Sequence, residues 1–111
     1  MKQLEIWWAQ LPAPVGPRPV LLLTRDPAYQ YLNKFIVAEI TTTIRRIPQE
    51  VALGRAEGMK KPCVANLDNL RTVAKPWLAK RLGRVAEGRR VEVKRALGAA
   101  LGWEELAFAE N

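Results

Sequence analysis

The sequence predicts a mainly β fold with helices, an α+β domain in which a small, strongly bent β-sheet or barrel carries one amphipathic C-terminal helix. Three observations lead there. Five or six short β-forming segments alternate with Gly, Pro and Asp turn signals between residues 4 and 85. Residues 87–101 place Val93, Ala96, Leu97, Ala100 and Leu101 at helical spacing, with Arg90, Lys94 and Arg95 elsewhere on the surface. At 111 residues and 49% hydrophobic content, the chain fills one small core. No internal repeat, low-complexity tract or linker divides it.

Leu4–Leu11, with Ile6, Trp7, Trp8 and Ala9, reads as the first strand, and Pro12 and Pro14 stop it. Neighbouring strand residues point to opposite faces, so at most one of Trp7 and Trp8 is central core, and the other meets a second layer, a subunit or solvent. In Gly16-Pro17-Arg18-Pro19, Pro19 drives Arg18 into an extended conformation and Pro17 stiffens the other side. Val20–Leu23 lacks polar alternation, which marks a strand covered on both faces. A fixed cation therefore stands at the mouth of a buried strand. Asp26 is placed as an N-cap with Pro27 at the first helical position, so a short helical turn runs through Tyr31, where Tyr29 and Tyr31 serve packing.

Phe35–Thr41 is the third strand, with Ile36, Ala38 and Ile40 on one face and Val37, Glu39 and Thr41 on the other. A carboxylate and a hydroxyl thus share a face. Thr42, Thr43, Arg45 and Arg46 extend into a basic loop closed by Pro48, and Gln49–Leu53 forms another strand. Gly54–Pro62 has loop composition with Arg55, Lys60 and Lys61. Cys63–Leu67 is a short apolar strand, and Asp68-Asn69 is a turn signal into Leu70-Arg71-Thr72-Val73. Lys75–Leu78 suits a single helical turn, and Arg81–Val85 a last strand ahead of the helix.

The 18 Lys and Arg against 11 Asp and Glu give +7 and a pI near 10.1, which suits a polyanionic partner such as nucleic acid. The single cysteine, Cys63, excludes an internal disulfide framework and the usual multi-cysteine zinc sites. The absence of histidine removes ordinary zinc chemistry and any histidine acid–base pair. No metal or cofactor is expected. Neither a signal-peptide core nor a membrane-length apolar segment is present, so a soluble, cytoplasmic protein with no membrane partner is expected.

Leu4-Glu5-Ile6-Trp7-Trp8, Arg18-Pro19-Val20-Leu21-Leu22-Leu23, Ile36-Val37-Ala38-Glu39-Ile40-Thr41, Leu70-Arg71-Thr72-Val73 and Leu82-Gly83-Arg84-Val85, in this order and spacing, resemble the MazF/PemK type of toxin endoribonuclease. The likeness spans residues 1–102 as a single domain. It implies a compact, SH3-like, strongly bent β-barrel that works as a homodimer. It also implies sequence-specific cleavage of single-stranded RNA without a metal, leaving a 2′,3′-cyclic phosphate and a 5′-hydroxyl, and neutralisation by an acidic antitoxin. The family's active-site arginine falls on Arg18, its threonine on Thr41, and an aspartate used by some members on Asp68. A gyrase-poisoning toxin of the same fold and a catalytically inactive RNA-binding barrel are the alternatives.

The chemistry makes independent sense of these residues. RNA brings its own nucleophile, the 2′-hydroxyl, so the protein must align it, assist proton transfer and stabilise a more negative phosphorane. Arg18 can hold a nonbridging oxygen through its planar fork, and Thr41 can donate to the same charge. The loop before Arg18 is shorter than is usual in the family, and a catalytic glutamate of some members has no counterpart. Glu39, where the family more often has a small residue or proline, is a candidate for the missing carboxylate, as is Asp68; the plainer role for Glu39 is a surface pair with Arg45 or Arg46. Arg25, Arg45, Arg46, Lys60 and Lys61 are the cations expected to meet RNA or the antitoxin.

Residues 103–111 form an acidic, apolar tail with Glu104, Glu105 and Glu110 and no base. Two placements are open: over a basic groove in competition with RNA, or as a further helical turn that buries Leu106 and Phe108.

Overall fold

A computed structural model describes residues 1–111. Its six strands are β1 (Glu5–Ala9), β2 (Arg18–Leu22), β3 (Lys34–Thr41), β4 (Glu50–Leu53), β5 (Cys63–Ala74) and β6 (Leu78–Arg84). They form one antiparallel sheet in the order β4-β5-β3-β2-β1-β6, followed by helices α1 (Arg90–Leu101) and α2 (Glu104–Ala107). The α+β class and the bent sheet with its C-terminal helix are as the sequence predicts. Hydrogen bonding leaves the sheet open, with β4 and β6 at its edges.

The sheet is buried on both faces. One core joins Ile6, Leu21, Ala38, Ile40 and Ala65 to Val93 and Ala96 of α1; the other joins Val20, Leu22, Phe35 and Val37 to Leu11, Tyr29 and Leu78. Val20, Leu21 and Leu22 therefore have no solvent exposure, the physical meaning of the unbroken apolar run. Each such side chain contributes about 1.5–3 kcal/mol by leaving water. Tyr29 packs on Phe35 with ring centroids 4.6 Å apart, a packing role.

The open side of the sheet is filled by glycine contact. A Cβ on Gly83 of β6 would lie 1.9 Å from the Glu57 carbonyl oxygen, and one on Gly58 would lie 2.3 Å from the Leu82 carbonyl oxygen. Only glycines let the turn at residues 54–58 lie this close to the edge strand. Arg89 ties the same turn to the helix, bonding Glu57 Oε2 at 3.1 Å, Glu92 and the Ala52 carbonyl.

Five features differ from the sequence reading. Asp26 caps no helix: it lies inside the short turn Asp26–Gln30 and its Oδ1 accepts the Gln3 amide, and Tyr31 is 61% exposed rather than packed. Asp68-Asn69 is no turn: β5 runs through it unbroken, and Leu67, Asp68 and Asn69 form a bulge because Ala38 pairs with Leu70 while Glu39 pairs with Asn66. The last strand starts at Leu78 rather than Arg81, its exposed Ala79, Lys80 and Arg81 giving an edge strand no apolar pattern to display. Ile36, grouped by alternation with the buried Ala38 and Ile40, is 51% exposed although its neighbours Phe35 and Val37 are buried, so at that end of β3 only the opposite face is covered.

The tail packs as the short α2 on α1, where a Cβ on Gly98 would lie 2.2 Å from the Ala107 amide nitrogen. Lys94 and Arg95 donate to the Asn111 and Ala109 carbonyls. Leu106 is half-buried, whereas Phe108 remains 78% exposed, so the helical turn forms without covering Phe108.

Candidate functional site

The site grows from the pairing of β2 with β3. Val20 faces Glu39, Leu21 faces Ala38 and Leu22 faces Val37, so continuing the register past the last ladder pair sets Arg18 opposite Thr41. Pro19 holds Arg18 extended at the start of β2, and Thr41 is the last residue of β3. Together they open onto a cleft of about 540 Å³, walled by Trp8, Pro19, Ile40, Met59, Cys63 and Leu82 and rimmed by Lys60 and Lys61.

Arg18 is already engaged. Its Nη1 donates to Glu39 Oε1 at 2.9 Å and its Nη2 to the Val15 carbonyl at 3.4 Å, while its Nε is buried without a partner. The other oxygen of Glu39 accepts from Arg71 Nε at 2.9 Å, and the Glu39 side chain is 13% exposed. Thr41 Oγ1 accepts the Thr43 amide at 3.1 Å, which leaves its own proton for an outside acceptor. Lys60 and Lys61 form none of the ion pairs, so their charges are free at the rim. Burial, then the charge of Glu57, pushes the Cys63 thiol up from its ordinary value; Cys63 is a neutral wall of the cleft.

Arg18, Thr41, Lys60 and Lys61 thus meet at one cleft, with Glu39 bonded directly to Arg18. Glu39 does not pair with Arg45 or Arg46. The backbone amides of those two residues converge on Glu50 Oε1 at 3.0 and 2.9 Å, and neither side chain lines the cleft. Glu39 itself lies outside the cleft lining and reaches it only through Arg18; Asp68, exposed on the bulge, and Arg25, which donates to Tyr31 Oη at 3.1 Å, lie outside the lining with no such bond to Arg18. Sequence reasoning missed Arg71 and Trp8. Trp8 faces Pro19 in the β1–β2 register, and Arg71 shares the face of Val73; the apparent turn at Asp68-Asn69 hid that relation.

A cation, a hydroxyl donor and two free lysines around one groove form an anion site. The model for PemK-like, MazF-like toxins of type II toxin–antitoxin systems matches residues 2–101. The chain belongs to this family. Among its MazF relatives, the probable endoribonuclease MazF5 of Mycobacterium tuberculosis is 38% identical over 98 residues, covering 87% of this chain and 89% of that protein. The Mycobacterium tuberculosis toxin MazF-mt6 superposes with a TM-score of 0.84 at 32% identity, covering 90% of this chain and 98% of that one. An endoribonuclease from a mycobacterial species, solved in complex with its cognate antitoxin, superposes at 0.80 with 26% identity over 92% and 95% of the two chains. The bent sheet and terminal helix of this MazF-like toxin are therefore the family's fold. Its Arg18, Thr41 and Glu39 stand on the central strands of that sheet.

Proposed function

We propose that the chain is the toxin of a toxin–antitoxin pair: a sequence-specific endoribonuclease that cuts single-stranded RNA, mRNA included, through the 2′-hydroxyl and without a metal. The observation that carries this is the placement of Arg18 opposite Thr41 at the mouth of a cleft rimmed by Lys60 and Lys61. The endoribonuclease relatives support the same reading.

In the reaction, Lys60 and Lys61 draw the RNA backbone into the cleft. Arg18 and the Thr41 hydroxyl hold the nonbridging oxygens and stabilise the negative charge that grows on phosphorus. The 2′-oxygen–phosphorus bond forms and the phosphorus–5′-oxygen bond breaks. The 2′-hydroxyl proton passes to Glu39, the carboxylate bonded to Arg18, and the 5′-oxygen takes a proton from solvent, to which Glu39 returns its own. The protonic balance closes with a 2′,3′-cyclic phosphate and a 5′-hydroxyl. Asp68, out on the bulge, has the smaller claim to this role.

A symmetric homodimer and an acidic antitoxin segment laid over Lys60 and Lys61 complete the reading; Arg45 and Arg46 flank the same end of β3. An RNA substrate implies action in the cytoplasm. No helix is long and apolar enough to cross a membrane.

The test is incubation of the purified protein with single-stranded RNA in EDTA, with the product ends identified. Cyclic-phosphate ends, and no cutting when the scissile nucleotide is 2′-deoxy, support the reading. Strict magnesium dependence overturns the mechanism, and RNA bound but uncut points to an inactive barrel or a protein-poisoning toxin.

A further inference from the structure

Arg71 is the charged group of the site that the reaction above leaves unused. It stands on β5 opposite Val37, so its side chain lies on the face that carries Val37 and Glu39, one diagonal step from the carboxylate. The bulge at residues 67–69 makes Leu70 the last β5 residue paired before the register breaks. Arg71 Nε holds Glu39 Oε2 at 2.9 Å, while Arg18 Nη1 holds Oε1 at the same distance. Each oxygen of one largely buried carboxylate is therefore taken by a different arginine, and only Arg18 lines the cleft.

This asymmetry matters once a phosphodiester enters. Arg18 Nη1 cannot serve Glu39 and a phosphate oxygen equally well, and the phosphate brings a full charge to the guanidinium fork. We propose that Arg71 is a positioning residue that anchors Glu39 through Oε2 while Arg18 exchanges Glu39 for the RNA phosphate, releasing Oε1 in place beside the scissile linkage. The proposal rests on the reading of the cleft as an RNA-cleaving site. Without Arg71 the carboxylate has Arg18 as its sole cation: it either follows the guanidinium and competes with the phosphate, or turns away from the 2′-hydroxyl. With Arg71, the trio keeps one net positive charge, so Glu39 does not cancel the attraction of Arg18 for RNA.

The charged groups bonded to Glu39 are Arg18 from β2 and Arg71 from β5. Removing Arg71 alone leaves Oε2 of Glu39 without its partner while Oε1 keeps Arg18.

The experiment measures single-turnover cleavage of a short single-stranded RNA at neutral pH. It uses the parent protein, Arg71→Gln, Arg71→Lys, Glu39→Gln and the Arg71→Gln/Glu39→Gln double variant, with thermal unfolding of each. Arg71→Gln is expected to slow cleavage on the order of tenfold, as for coupled neighbours. Arg71→Lys should restore most of the rate, because the ammonium still holds one oxygen. In the Glu39→Gln background, Arg71→Gln should cost nothing further. Equal losses in both backgrounds, or no recovery with Arg71→Lys, overturn the proposal while RNA cleavage stands; if Arg71→Gln fails to fold, the same comparison is made with Arg71→Met. A parent protein that cuts no RNA overturns the cleavage reading and the proposal with it.

Discussion

Arg18 Nη1 lies 2.9 Å from Glu39 Oε1, so the cation at the mouth of the cleft is paired with an internal carboxylate before any RNA phosphate arrives. Replacing Arg18 with Ala should raise the cleavage barrier by about 2.7–4 kcal/mol, as for removal of one preorganised charge stabiliser. Arg18→Lys should recover little, since a point charge does not reproduce the fork that meets Glu39 and the Val15 carbonyl. Single-turnover rates with unchanged thermal unfolding check this; a variant that cuts like the parent moves the site elsewhere.

The contact between the turn at residues 54–58 and the edge strand predicts which glycines are irreplaceable. Gly83→Ala drives a Cβ to 1.9 Å from the Glu57 carbonyl oxygen, and Gly58→Ala adds a φ of 88° to a 2.3 Å approach. Each should cost about 1–3 kcal/mol or more in urea unfolding, as overpacking does. Gly88→Ala, with nothing within 4 Å of the added Cβ, should be close to neutral.

Acid should destabilise the protein in part through Glu92 and Glu5. The hydrogen bond and charge of Arg89 hold the Glu92 carboxyl below its ordinary value of 4.5. Burial alone would raise Glu5, but the Trp7 indole, the Lys2 amide, the terminal amine and Arg81 more than offset it. A carboxylate lowered by folding stabilises fully above its unfolded value and loses that stabilisation as pH falls through the folded one. Melting temperature should therefore hold from neutral pH down to about 5 and drop below it. Glu92→Gln should flatten that drop; an equally steep drop in the variant assigns the acid sensitivity elsewhere.

The tail rests on α1 through Lys94, Arg95 and the close approach at Gly98, with no residue in the cleft lining. Removing residues 103–111 should leave RNA affinity unchanged at low salt. It should lower stability on the order of 1 kcal/mol, roughly 4–8 °C in melting temperature for a domain of this size. Tighter RNA binding that fades as salt is added would instead place the tail over the RNA groove.

By itself the sequence determined the elements whose causes are local. The run Val20–Leu23 meant a strand covered on both faces, Pro19 meant an extended Arg18, and the spacing from Val93 to Leu101 meant the helix. Together with the ordered motifs, these carried the family, and Arg18 and Thr41 with it. Only the tertiary structure decided what surrounds them. Glu39 has basic neighbours in sequence at Arg45 and Arg46, yet its partners are Arg18, 21 residues away, and Arg71, 32 residues away. Asp68-Asn69 carries turn chemistry, but β3 pairs with β5 both before it, at Asn66, and after it, at Leu70, so the strand runs through it as a bulge. Local propensity fixes where a strand can form. Which side chains meet is set by the register between strands, and that depends on burying both faces of the sheet at once.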